Sequence, residues 1–121
     1  MILVDSSLWV EHLRRGHPRL QGVLETEPVV THDFVLGELS LGHLKKGSDF
    51  LKTLAGLPRL LPADHEEVLA AVDRLDLRGS GIGWIDAHLV ASCLIEGARL
   101  WTIDRVLLRA LDGAQLLFEA S

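Results

Sequence analysis

The feature that most limits what this chain can fold into is a short apolar run that stops at an acid and turns at once into a helix. Ile2-Leu3-Val4 is continuous and apolar, and it ends at Asp5. Behind it stand Ser6 and Ser7, hydroxyl residues suited to helix capping. Leu8, Trp9, Val10 and Leu13 follow at helical spacing, with Gly16 as a stop. An unbroken apolar strand is covered on both faces, which is the pattern of a parallel strand in an α/β sheet. The same punctuation recurs near the other end. Arg99 to Ile103 is strand-like, runs into Asp104, and is followed by a helix from about Arg105 to Leu111.

Between these two units strands and helices alternate. A helical patch around Leu20, Val23 and Leu24 ends at Pro28, and Val29 to Thr31 reads as a strand. Helical spacing runs from Asp33 to Lys46, closed by Gly47, and Ser48 caps a short helix carrying Phe50, Leu51 and Leu54. Leu60-Leu61 is a strand candidate. Asp64 with Glu67 three residues on opens a helix to about Leu77. After the loop Gly79 to Gly83, a helix spans Trp84 to Glu96 with Gly97 as its cap, and Gln115 to Phe118 makes a last strand. Alternation of this kind implies right-handed crossovers. The expected fold class is therefore α/β, a mostly parallel central sheet flanked by helices on both faces, and 121 residues without linkers or repeats form a single domain, 1–121.

Functional crevices in such sheets open beyond the carboxyl ends of the strands. Asp5 and Asp104 stand at two of those ends, where each is either a helix cap or part of a site. Glu38 and Asp86 lie on helices whose neighbours are mostly apolar, and no Lys or Arg falls within four residues of either. Carboxylates in apolar surroundings need a partner or a metal. Four such acids suit a hard divalent cation, Mg²⁺ with Mn²⁺ as a substitute, and hence phosphoester chemistry.

Composition bears on the partner and the compartment. The net charge of −5 argues against nucleic acid at first sight, yet taking four metal-holding carboxylates out of the count leaves only −1. With 48% hydrophobic residues and no apolar run near the ~20 needed to span a bilayer, the chain reads as a soluble cytoplasmic protein. The first residues lack a signal-peptide pattern. A lone cysteine, Cys93, excludes a disulfide framework and reads as core. His65-Glu66-Glu67 lacks the second histidine of a zinc-protease helix, and the glycines at 79, 81 and 83 follow no strand, so neither motif carries chemistry. His88 reads as a satisfied or exposed histidine, and Trp9, Trp84 and Trp101 as core or interface.

In these contexts the four acids resemble those of PIN-domain proteins, specifically the VapC toxins of bacterial toxin–antitoxin pairs. The matching stretches are Ile2 to Trp9, Thr31 to Leu39, Gly81 to Leu89 and Leu100 to Arg105, in the family's order. The resemblance assigns Asp5, Glu38, Asp86 and Asp104 as catalytic and metal-holding residues, with Ser6 where the family most often has Thr and Thr102 as a second supporting hydroxyl. It implies a Mg²⁺-dependent endoribonuclease, RNA as substrate, an inhibiting antitoxin protein and a homodimer. Arg105, Arg109, Arg14 and Arg15 are the candidate RNA contacts, and surplus apolar residues over Phe34 to Leu44 and Phe50 to Leu57 predict a groove for an antitoxin segment. Two alternatives stay open. One is a noncatalytic binding module. The other is a phosphoester enzyme with a nucleophilic first-strand Asp, although the second Asp of that pattern would fall at Ser7.

Overall fold

Strand β1 (Ile2–Val4) lies at the centre of the sheet, with parallel partners on both sides. Its neighbours are β2 (Val29–Val30) and β3 (Arg99–Trp101), in register Leu3↔Val30 and Leu3↔Leu100. Ile2, Leu3 and Val4 are all buried although successive side chains point to opposite faces, so both faces of the sheet are covered. These features come from a computed structural model that describes residues 1–42 and 49–120.

The helices are α1 (Ser6–Arg15), α2 (Pro18–Thr26), α3 (Asp33–Ser40), α4 (Asp49–Ala55), α5 (His65–Arg74), α6 (Trp84–Glu96) and α7 (Arg105–Ala110). Their ends follow the local chemistry. Gly16 and Gly97 stop α1 and α6 at positive φ, and Asp64 with Glu67 makes the reciprocal capping box that opens α5. That helix ends three residues before Leu77, because Asp76 adopts a φ of 53° and folds Leu77 back into the core. α3 ends at Ser40, where the expected helix continued to Lys46. The rest of that expectation, with Gly47 and the Ser48 cap, lies outside the described residues.

Two expected strands contract to single parallel bridges, Thr31↔Arg59 and Leu100↔Leu117, one at each edge of the sheet. Pro58 and Pro62 bracket Leu60-Leu61, and proline has no N–H for a ladder. Leu60 is buried while Leu61 is 74% exposed. The last segment is entered through Gln115 at a φ of 58°, which turns the chain rather than extending it. The core joins β1, β3, Leu8, Leu89 and Leu107, with Trp9 and Trp101 inside it and Trp84 outside. Among the described residues no helix is long and apolar enough to cross a membrane.

Candidate active site

Parallel pairing brings the carboxyl ends of β1 and β3 side by side, and a knot of hydroxyls locks them there. The Asp5 backbone N–H donates to the Trp101 carbonyl at 2.9 Å. Ser7 Oγ and Thr102 Oγ1 each donate to Asp5 Oδ2 at 2.7 Å. Each hydroxyl has one proton, so both protons are spent on Asp5. Their oxygens in turn accept backbone N–H groups, Ile103 to Ser7 at 3.3 Å and Asp104 to Thr102 at 3.0 Å. Asp5 is thereby held almost fully buried with Oδ1 unengaged among the described residues.

The two strand-end acids differ. Asp5 occupies the N-cap position of α1 without making a side-chain cap. Asp104 does cap α7, its Oδ1 accepting from Val106 N at 2.8 Å and Leu107 N at 3.1 Å. Capping explains Asp104 Oδ1 and leaves Oδ2. It does not explain Asp5.

Glu38 on α3 and Asp86 in the first turn of α6 complete the group. Partial burial, then the charges of Asp5 and Asp104, push the Asp86 carboxyl up to about 6, against a Gly83 backbone hydrogen bond that pulls it down. Burial, then Asp5 and Asp86, raise the Glu38 carboxyl. The four acids therefore share one electrostatic field. Among the described residues no three His, Cys, Asp or Glu side chains form a ready-made cation cage. The donor set is nevertheless all carboxylate oxygen, the chemistry that suits a hard divalent ion, and the exposed Glu38 has room to turn.

The family follows from comparison with known proteins. The PIN-domain model matches residues 2–113. A Mycobacterium tuberculosis protein named Ribonuclease VapC32 is 44% identical over 124 residues, covering 100% of both chains. The chain belongs to the PIN-domain family, and to its VapC type. Solved structures agree in fold. A toxin–antitoxin complex from Klebsiella pneumoniae matches with TM-score 0.73 at 14% identity, covering 100% of this chain and 98% of that one. FitAcB from Neisseria gonorrhoeae matches with TM-score 0.62 at 21% identity, covering 93% of this chain and 94% of that one.

Within this PIN domain the supporting hydroxyl beside Asp5 is Ser7, which the sequence reading passed over for Ser6. Ser6 makes no side-chain hydrogen bond among the described residues and instead lines a groove. Thr102 holds the same Asp5 oxygen from the end of β3. A second buried network sets the helices that carry the other two acids. His32 Nδ1 accepts the Phe34 N–H at 3.0 Å, so its proton sits on Nε2 and points to Ser92 Oγ at 3.0 Å, which donates to the Leu61 carbonyl. The His32 ring caps α3 and Ser92 belongs to α6, so one neutral imidazole joins the two helices. Burial lowers the His32 pKa and keeps it neutral.

An apolar groove has the α3 wall that the sequence predicts, with α1 rather than α4 opposite it. It measures about 530 Å³ and is lined by Ser6, Val10, Leu13, Arg14, Glu38, Leu39 and Gly42, between α1 and α3. The expected groove closes because Leu54 is core, and Phe34, Phe50, Leu51 and Leu57 pack against the core. Trp9 also meets Phe50 edge-on at 5.9 Å. Leu44 of that expectation lies outside the described residues. Arg14 shares the new groove with Glu38, whereas Arg15 is tied to Glu11 at 3.6 Å. Arg105 and Arg109 are exposed on α7 and make no ion pair among the described residues. Cys93 is core, its thiol pushed up to about 12 by burial.

The raised Asp86 pKa sets the sign of a pH effect. The folded state holds the Asp86 proton up to about 6, against an ordinary value of 3.8. The folded state therefore binds more protons across that window, and the metal-free protein loses stability as pH rises through it. Asp86→Asn removes the penalty. We expect the variant to melt a few degrees higher than the unsubstituted protein at pH 7.5 in EDTA, with the gain shrinking toward pH 4.5. Thermal melts at the two pH values check this. An equal or larger gain at pH 4.5 contradicts it.

Proposed function

We propose that this chain, one PIN domain over 1–121, is the toxin of a type II toxin–antitoxin pair, a Mg²⁺-dependent cytoplasmic endoribonuclease that hydrolyses RNA phosphodiester bonds. The observation that carries the reading is the shared field of Asp5, Glu38, Asp86 and Asp104 at the carboxyl edge of the sheet, with Asp5 pinned by Ser7 and Thr102. Asp5, Glu38, Asp86 and Asp104 would hold the ion, with Mn²⁺ as a substitute. When bound, it supplies an activated water and charge stabilisation at a phosphate. The chain's own part is positional. Ser7 and Thr102 fix the Asp5 rotamer and leave Oδ1 for the site, while the α7 cap fixes Asp104 through Oδ1 and leaves Oδ2. The name of the 44% identical relative supports ribonuclease chemistry.

Arg105, Arg109 and Arg14 are the proposed phosphate contacts. Arg105 follows Asp104 directly, and Arg109 lies one turn on along α7. Arg15, engaged with Glu11 and strongly exposed, is the weakest of the four candidates. The groove between α1 and α3 is the proposed seat of an apolar antitoxin segment, because it opens beside Glu38 and carries exposed Val10 and Leu13. A basic side chain on that segment would meet the acids, so occupation would block the site. The exposed apolar residues Ile103, Val106 and Leu108 support a homodimer face along α7.

Three variants test the reading on a single-stranded RNA substrate. Asp5→Asn should lose Mg²⁺-dependent cleavage entirely, and EDTA should do the same to the unsubstituted protein. Ser7→Ala should keep the fold and lose about 10- to 100-fold in activity, while Ser6→Ala stays close to the unsubstituted rate. Arg105→Ala should weaken RNA binding and reduce the salt slope by about 1. Full cleavage by Asp5→Asn defeats the proposal.

A further inference from the structure

A ladder of rings links α5, α6 and α3, and the last two of these helices carry Asp86 and Glu38. His65, the first residue of α5, lies 5.3 Å from Trp84 at an interplanar angle of 45°. Trp84 lies 5.2 Å from His88 at 88°, and His88 lies 4.9 Å from Phe34 at 75°. Two rungs of the ladder share helices with the carboxylates. Phe34 and Glu38 are one turn apart on the same side of α3. Trp84 is the first residue of α6, and Asp86 two residues on turns its carboxylate back to the Gly83 N–H beside it.

Trp84 is out of place as a structural residue. Trp9 and Trp101 are 2% and 6% exposed, whereas Trp84 is 44% exposed with its ring held by two imidazoles. The His88 ring meets the indole edge-on, and its buried Nδ1 has no hydrogen-bond partner among the described residues. Beside the indole a shallow cavity of about 220 Å³ is walled by Leu69, Val72, Leu77, Ile82, Ala87 and Arg78, the last paired with Asp73. A pre-oriented aromatic surface with largely apolar room beside it suits the face of a planar base. A strand whose phosphate sits at the acids must place an adjoining base close by.

We propose that Trp84, steadied by His65 and His88, is a stacking platform for the nucleobase next to the cleaved phosphate. A base inside a duplex keeps both faces stacked on its neighbours and has none to offer the indole. This rests on the ribonuclease reading for its substrate, and it adds which part of the RNA is recognised and where.

The test uses the full-length Asp5→Asn chain with Mg²⁺, so that RNA is bound and not cut, and follows tryptophan fluorescence. Trp9 and Trp101 are buried, so quenching on binding reports Trp84. A single-stranded oligoribonucleotide should quench saturably, and its duplex should bind more weakly without quenching. Adding Trp84→Ala should weaken single-strand affinity about 5- to 150-fold, while Trp84→Phe, which keeps a stacking ring, retains most of it. Binding without quenching, or equal affinity in Trp84→Ala, overturns the proposal. So does a shift in oligomeric state by sedimentation with RNA affinity unchanged, which would make the ladder a contact between copies. Should Trp84→Ala not fold, the quenching of the Trp84-containing chain decides alone. Failure of the ribonuclease reading shows separately, as absence of Mg²⁺-dependent cleavage by the unsubstituted protein.

Discussion

Repulsion among like charges held at one edge of a sheet is the constraint on which the rest of the molecule depends. Burial first, then the charges of Asp5 and Asp104 on Asp86 and of Asp5 and Asp86 on Glu38, raise the two helix carboxyls above their ordinary values. Folding alone gains nothing from such a confrontation. It persists because other contacts hold three of the acids: two hydroxyls on Asp5, a helix cap on Asp104, a backbone hydrogen bond on Asp86. A cluster of this kind has a use when a divalent cation takes up the charge.

The fold supplies the placement. With β1 central and both partners parallel, every chain crossing the sheet leaves at the same edge, so acids far apart in sequence face a common space. The strand ends set two of them, the first turn of α6 sets Asp86 and the last turn of α3 sets Glu38. Their mutual positions therefore depend on how α3 and α6 sit against each other, and the buried His32–Ser92–Leu61 chain fixes that. The hydroxyl knot does the same for the strand ends. Neither network would serve on a rigid core alone, since hydrophobic packing does not specify the rotation of a carboxylate.

The strand ends were legible because a continuous apolar run stopping at Asp is rare punctuation, and Ile2 to Asp5 and Leu100 to Asp104 both carry it. Gly97 and the Asp64–Glu67 box were legible for the same reason, as single residues that dictate local geometry. Rotation about a helix start was not. Ser6 and Ser7 are equivalent on paper, yet one residue is about 100° of turn, which sends Ser7 to Asp5 and Ser6 into the groove. The groove's second wall was misplaced because apolar surplus in α3 and α4 was taken as exposed surface, whereas it closes α4 onto α1 and the core. Trp84 was read as core or interface by type alone. Its exposure depends on the tertiary positions of His65 and His88, which no local pattern encodes.

Calorimetric titration of the unsubstituted protein with Mg²⁺ at pH 6 and pH 8, in buffers of different ionisation heat, tests the central claim most directly. A cation that relieves the shared field must displace the proton Asp86 holds near pH 6. Saturable binding is expected at both pH values, with proton release at pH 6 that fades at pH 8. Absence of saturable binding at both, for Mg²⁺ and for Mn²⁺, would contradict it.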